Sequence, residues 1–286
     1  MLDESLRRFT KEIGVIRYFR YLMLLICAVQ LFFAVAYIIK LPFAIQLWPL
    51  AYTNEMSFLF IASIFAAAAA STSWCILTKQ DAALAGVALD YLTIFGPMTI
   101  FAFQIAGPSH SDLLTNFGFA CLGGVVFGAA LLIGSLRTPV RDTRPVPRLV
   151  YWSFVLFMLA LVFFGGQMVL KVPNVLPWDV TSEGSVIYGW IFLGAAAYFA
   201  YAIMRPGWHN AGGQLAGFLA YDLVLIVPFL MRLPVIEPER RLSLMVYIFV
   251  VTYSGLLAVY YLFIHRHTRL WRHQPVSDAV SASPIA

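Results

Sequence analysis

Long unbroken apolar runs, separated by short polar gaps rich in Pro and Gly, set the pattern of this chain. Eight runs, 21–39, 56–77, 82–104, 113–136, 149–170, 184–204, 211–231 and 242–264, are near the roughly 20 residues a helix needs to cross a hydrocarbon core about 30 Å thick. Polarity does not alternate within them, so they predict helices rather than barrel strands. Pro42 and Pro49, Gly107 and Pro108, Pro139 to Pro147, Pro173 and Pro177, Pro206 and Gly207, and Pro234 and Pro238 punctuate the gaps. The expected fold is all-α, a polytopic membrane protein of eight transmembrane helices.

Composition agrees. Of 286 residues, 61% are hydrophobic and 12% charged, the latter about half the share in soluble domains. Mean hydropathy is +0.82. A soluble enzyme, a disordered chain and a secreted disulfide scaffold are all excluded by that balance. Cys27, Cys75 and Cys121 sit singly in apolar runs and read as small core side chains. The first run is too long for a signal-peptide core and lacks a cleavage site, so an uncleaved first span is expected.

The Lys and Arg distribution gives a direction. With the N-terminus in the cytoplasm, Arg7, Arg8, Lys11, Arg17, Arg20, Lys79, Arg137, Arg141, Arg144, Arg148, Arg205, Arg266, Arg269 and Arg272 lie inside. Lys40, Lys171, Arg232, Arg240 and Arg241 lie outside. The positive-inside rule then predicts an N-in/C-in chain in the bacterial inner (plasma) membrane. The net charge of +5 reflects these orientation signals, not nucleic-acid binding.

A duplication organises the chain. Lys40-Leu41-Pro42 recurs 131 residues later as Lys171-Val172-Pro173. Leu84-Ala85-Gly86, Leu92 and Pro97 recur at the same offset as Leu215-Ala216-Gly217, Leu223 and Pro228. Pro49, Thr53, Glu55 and Ser57 recur at an offset of 128 as Pro177, Thr181, Glu183 and Ser185. The small difference falls in loops, where indels are tolerated. This predicts two parallel four-helix repeats: 1–136 with a basic N-terminal segment, and 149–264. Residues 137–148, with four arginines and three prolines, form an extended linker, and 265–286 a basic then flexible tail. Parallel repeats occur in carriers, with sites at the repeat interface.

Gly213 and Gly217, Gly124 and Gly128, and Ala82 and Gly86 place small residues on single helix faces, as do 66–70 and 194–197, which suits close helix packing in lipid. Pro97 and Pro228 should kink the third span of each half. Trp48, Trp178, Tyr52, Trp152, Trp208 and Trp271 near span ends predict interfacial belts. Thr53 and Thr181 read as N-caps, with Glu55 and Glu183 in the first helical turn, where the dipole favours a carboxylate; an outer-mouth role is the alternative for these four.

Among the 19 basic and 14 acidic side chains, only Asp90 and Asp222 fall inside the eight runs. They lie about 12 and 16 Å from the cytoplasmic ends of their helices at roughly 1.5 Å per residue, near the midplane. An ionised, unpaired aspartate there is costly, and intramembrane acids are by default functional candidates. At the 131 offset Asp90 aligns with Tyr221, and Tyr91 with Asp222. The two acids should therefore point about 100° apart around their helices. Possible neutral partners are Tyr91, Thr93, Tyr221, Gln30, Gln167, Thr252 and Tyr253. A protonated aspartate bridging two helices is the structural alternative.

His110, His209, His265, His267 and His273 fall in gaps or the tail, so no intramembrane haem pair is expected, and no HExxH, Walker, GxGxxG or GxSxG motif occurs. No cofactor, metal or catalytic residue is assigned, and an enzyme is the less favoured class. The Trp48-Pro49 turn with Thr53, and Pro177-Trp178 with Thr181, ahead of Gly/Ala-rich spans, resemble a tandem four-span repeat of uncharacterised bacterial integral membrane proteins. A fainter likeness is to the emopamil-binding, sterol isomerase-like four-helix fold, whose acidic and His pattern is not reproduced.

Three functions fit. The leading expectation is a small-solute or proton-coupled carrier, with Asp90, Asp222, Tyr91 and Tyr221 in a polar midplane cavity between the repeats. The second is a membrane-embedded protein or enzyme for a lipid or isoprenoid ligand in a lipid-open apolar pocket. The third is an accessory subunit of a membrane complex. The partners are thus the bilayer and a small solute or lipid, or a membrane-complex partner, with no nucleic acid.

Overall fold

The structure, a computed structural model, describes residues 2–51 and 53–270, with side chains from Tyr18 onward. Among these residues there are helices and no strands: α1 (Leu2–Ile38), α2 (Pro42–Leu47), α3 (Glu55–Leu77), α4 (Leu84–Ser109), α5 (Asp112–Leu136), α6 (Arg148–Val169), α7 (Ser182–Met204), α8 (Trp208–Arg232) and α9 (Pro238–Val259). A 3₁₀ turn, Asp81–Ala83, leads into α4, and a π turn, Tyr260–Ile264, ends α9. All but α2 are long and apolar enough to cross a membrane. Among the described residues the fold is thus all-helical, with eight helices whose length and composition suit a multi-pass membrane protein.

Local chemistry explains the boundaries. Lys40 and Lys171 adopt left-handed backbone, φ 56° and 60°. The Leu41 N–H donates to Ala36 O at 2.8 Å and the Val172 N–H to Gln167 O at 2.9 Å. These are the long bonds of Schellman caps, and the proline that follows each cannot continue a helix. The Lys-x-Pro recurrence is therefore a helix stop used twice. α4 runs through Gly107 and Pro108, which the gap pattern treats as a break, because in an apolar setting a helix that satisfies its own backbone is preferred. α9 begins at Pro238, four residues earlier than the apolar run. Pro at the first helical position forfeits only an N–H that would lack a partner anyway.

The helices form two walls. One is α1, α3, α8 and α9 in sequence, each packed on the next; the other is α5, α4, α7 and α6. Each wall draws two long helices from either side of the 137–147 linker. Between the walls, α3 touches α4 and α7 touches α8 only lightly. Glycines allow the close approach within each wall. A Cβ on Gly86 of α4 would strike the Tyr198 ring of α7, and one on Gly217 of α8 would strike Ser71 of α3.

At the end of the bundle holding the linker and the π turn that ends α9, two aromatic clusters close the core. One gathers Phe154, Phe199, Trp208 and Tyr261; the other gathers Met23, Trp74, Tyr91 and Tyr198. The linker is unhelical, but it is not loose. Arg144 donates to both oxygens of Asp142 at 2.6–3.0 Å and to His267 O at 2.8 Å, and it lies 5.9 Å from the Trp208 ring centroid. The Trp208 N–H donates to Arg144 O at 2.8 Å. Burial pushes the Asp142 carboxyl up, but the Arg144 bonds outweigh it and hold its pKa below the usual carboxylate value.

Two expectations change. Trp178 and Trp208 are not belt residues: they are 2% and 1% exposed, because their rings fill the core and the Trp178 Nε1–H donates to Ser57 Oγ at 3.1 Å. Trp152 does face outward, at 65%. Tyr52, Trp271, Arg272 and His273 lie outside the described residues, as do the side chains of Arg7, Arg8, Lys11 and Arg17.

Candidate binding cavity

Light contact between the walls leaves a cavity of about 660 Å³, within the roughly 300–1,000 Å³ typical of ligand pockets. Its lining comes mainly from α3, α4, α6, α7, α8 and α9 and is largely aliphatic and aromatic. At one end it meets exposed Asn174 and Glu239, near the loops between α6 and α7 and between α8 and α9. At the other it stops at Ser71, Gly217 and Gln214, above the aromatic clusters.

The cavity is also lined by α6 and α9. These two helices meet through Ser153 Oγ and Tyr253 Oη, 2.7 Å apart, and through the Phe157 and Tyr253 rings, with centroids 6.0 Å apart. Beyond that bond, Phe157, Leu161 and Phe164 of α6 and Val246 and Val250 of α9 line the cavity. Elsewhere in the lining, Tyr91 packs on Phe95 and Phe127, with ring centroids 5.7 and 6.1 Å away, and accepts a 2.8 Å bond from Gln30 Nε2.

The two membrane carboxylates take different places. Asp90 of α4 lines the cavity, and its Oδ1 is buried with no hydrogen-bond partner. It lies against the α7 backbone: a Cβ on Gly194 would be 2.6 Å from that oxygen. Tyr221, the residue aligned with Asp90, also lines the cavity. Asp222 turns instead into the α8–α9 interface. It is 4% exposed, and Ser254 Oγ of α9 lies 2.9 and 3.1 Å from its two oxygens. Asp222 does not line the cavity, so the two acids do not share one site.

The other sequence candidates lie elsewhere. The N-cap of α3 is Asn54, whose side chain accepts from the Ser57 N–H at 2.9 Å; Thr53 is one residue too early and donates to Leu50 O. The Asn54 amide also ties the cap to the loop before α7, since its Nδ2 donates to Asp179 O. Thr181 caps α7 by accepting from the Gly184 N–H at 3.0 Å. Glu55 pairs with Lys40 at 2.6 Å on an exposed surface, where ion pairs contribute little. Glu183 sits in the first turn of α7. None of Thr53, Glu55, Thr181 or Glu183 lines the cavity; Glu239 does.

Sequence reasoning missed Ser254, Tyr198 and Gln214. Tyr198 Oη is buried beside the cavity without a partner, and Gln214 is a 6% exposed amide within the Gly213–Gly217 face. A search for polar residues inside the apolar runs, not only charged ones, would have found all three. No protein-family model, curated protein or solved structure matches this chain.

Proposed function

We propose that this is an inner-membrane protein with both termini cytoplasmic, built as two parallel four-helix repeats, that binds a membrane-borne amphipathic molecule between its walls. The helix pairing favours the repeat. Exchanging the first four long helices with the last four carries α1–α3 onto α6–α7, α4–α5 onto α8–α9, and α3–α8 onto α7–α4, all of them packed pairs. The Schellman caps at Lys40 and Lys171 match under the same exchange. The Lys and Arg bias favours the orientation. Arg240, on the wrong side for that rule, is bound to Asp179 at 2.5 Å.

The observation that carries the ligand reading is an apolar cavity between the walls with one deep carboxylate, Asp90, in its lining. Hydrocarbon walls suit an alkyl or ring body, and a carboxylate set in such a wall favours a donor on the ligand. A carrier with a paired polar carboxylate site is less well supported, because Asp222 does not line the cavity and is engaged by Ser254.

The test is native mass spectrometry of the full chain released from its membrane. A bound small amphiphile is expected through detergent exchange. It should be lost in Ala195→Trp, which fills the cavity from α7. An empty wild-type protein, or equal occupancy in Ala195→Trp, refutes the reading.

A further inference from the structure

The charge on the cavity wall points to the head group of its ligand. Among the described residues, Asp90 and Glu239 are the only lining side chains that carry a formal charge, and both are acidic; no Lys, Arg or His lines it. Their positions differ. Glu239 is exposed at the mouth, whereas Asp90 is deep and its Oδ1 has no partner. Four further buried polar atoms of lining residues, Gln30 Oε1, Trp48 Nε1, Tyr198 Oη and Tyr247 Oη, also lack partners. Gln30 Oε1 accepts, Trp48 Nε1 donates, and the two tyrosine hydroxyls can do either.

We infer that the ligand is a cationic amphiphile, an ammonium-type head on a hydrocarbon or aromatic body, with the head held at Asp90. This rests on the cavity being a ligand site, as proposed above. An ammonium head supplies the basic partner that the lining lacks, and its positive charge neutralises the Asp90 carboxylate in a charge-assisted bond. Aromatic faces strengthen the fit, because Phe95, Phe192 and Tyr221 also line this cavity and a cation is attracted to such faces. An anionic head is rejected by the same wall. A fatty acid or a phosphate ester would bring a second negative charge beside Asp90 with no base to pair it, and unpaired like charges discriminate against a ligand as strongly as good contacts select one.

The experiment compares three probes that share one tail: dodecylammonium, dodecanol and dodecanoate. Each is titrated at pH 7.5 into the purified full chain and read by native mass spectrometry. The wild type is expected to bind the ammonium at least about tenfold more tightly than the alcohol, with the carboxylate weakest. Asp90→Asn should bring ammonium and alcohol within about twofold, and Asp90→Glu should restore the preference in part. Equal binding of alcohol and ammonium by the wild type overturns the inference while leaving the ligand cavity standing. A preference that survives in Asp90→Asn overturns the role of that residue. If none of the three probes binds, the cavity reading itself fails. The wild-type ranking decides the head-group question even if the Asp90 variants do not fold.

Discussion

Removing the Ser254 hydroxyl separates the roles of the two membrane carboxylates. Asp222 is 4% exposed, and Ser254 supplies its hydrogen bond. Ser254→Ala strips that partner and leaves a buried carboxyl unsatisfied, which costs about 1–3 kcal/mol. The reverse truncation, Asp222→Ala, is gentler on the hydrogen bonding, because Ser254 Oγ retains Val250 O at 2.8 Å. Asp222→Asn should cost under about 1 kcal/mol: an amide can donate to Ser254 Oγ and free the single hydroxyl proton for the carbonyl. In a double-mutant cycle of Asp222→Ala with Ser254→Ala, the coupling should fall between about 0.6 and 1.7 kcal/mol, the mean and upper values for bonds between membrane helices. The assay is reversible unfolding in bicelles, run beside probe binding. A coupling below about 0.3 kcal/mol, or a loss of probe binding in Asp222→Asn equal to that in Asp90→Asn, refutes this division of labour.

Two further outcomes follow from packing and from the linker. A Cβ on Gly212 would run into the Trp74 ring, which is 6% exposed and has little room to turn, so Gly212→Ala should destabilise by about 1–3 kcal/mol, read by the same unfolding assay. Because the folded Asp142 carboxyl is held below its unfolded value of about 3.9, its contribution is intact above about pH 4 and is lost as pH falls through the folded value. Exchange of the Trp208 amide, corrected for the intrinsic rate, should therefore rise only below about pH 4, and should already be raised at neutral pH in Arg144→Ala.

Much of this architecture is legible in the sequence, for reasons that can be traced. Apolar runs mark spans because a backbone in lipid must satisfy itself within each helix. The inverted Asp90-Tyr91 and Tyr221-Asp222 pairs announce that the two acids are rotated apart, and one does face the cavity while the other faces α9. The pairing of walls is not legible. With lipid as apolar as the core, hydrophobicity does not say which face meets a neighbour, so the packing of α3 on α8 and of α4 on α7 had no sequence signal beyond small residues. Trp178 and Trp208 mislead for the same reason, since a tryptophan near a span end can serve the interface or the core. Asn54 takes the cap from Thr53 because helix starts are decided by one residue's backbone geometry, which composition does not resolve.

The central claim is that the inter-wall cavity holds an amphiphile whose head lies at Asp90. Photo-labelling tests it most directly: a long-chain amine with a diazirine in its tail is irradiated with the full chain in native membranes, and the labelled residues are mapped by peptide mass spectrometry. The account predicts label on cavity residues of α6 and α9, such as Phe157, Leu161 and Val250, displaced by excess unlabelled amine. Label confined to outward-facing residues such as Leu156, Val162 and Leu256, and not displaced, would contradict it.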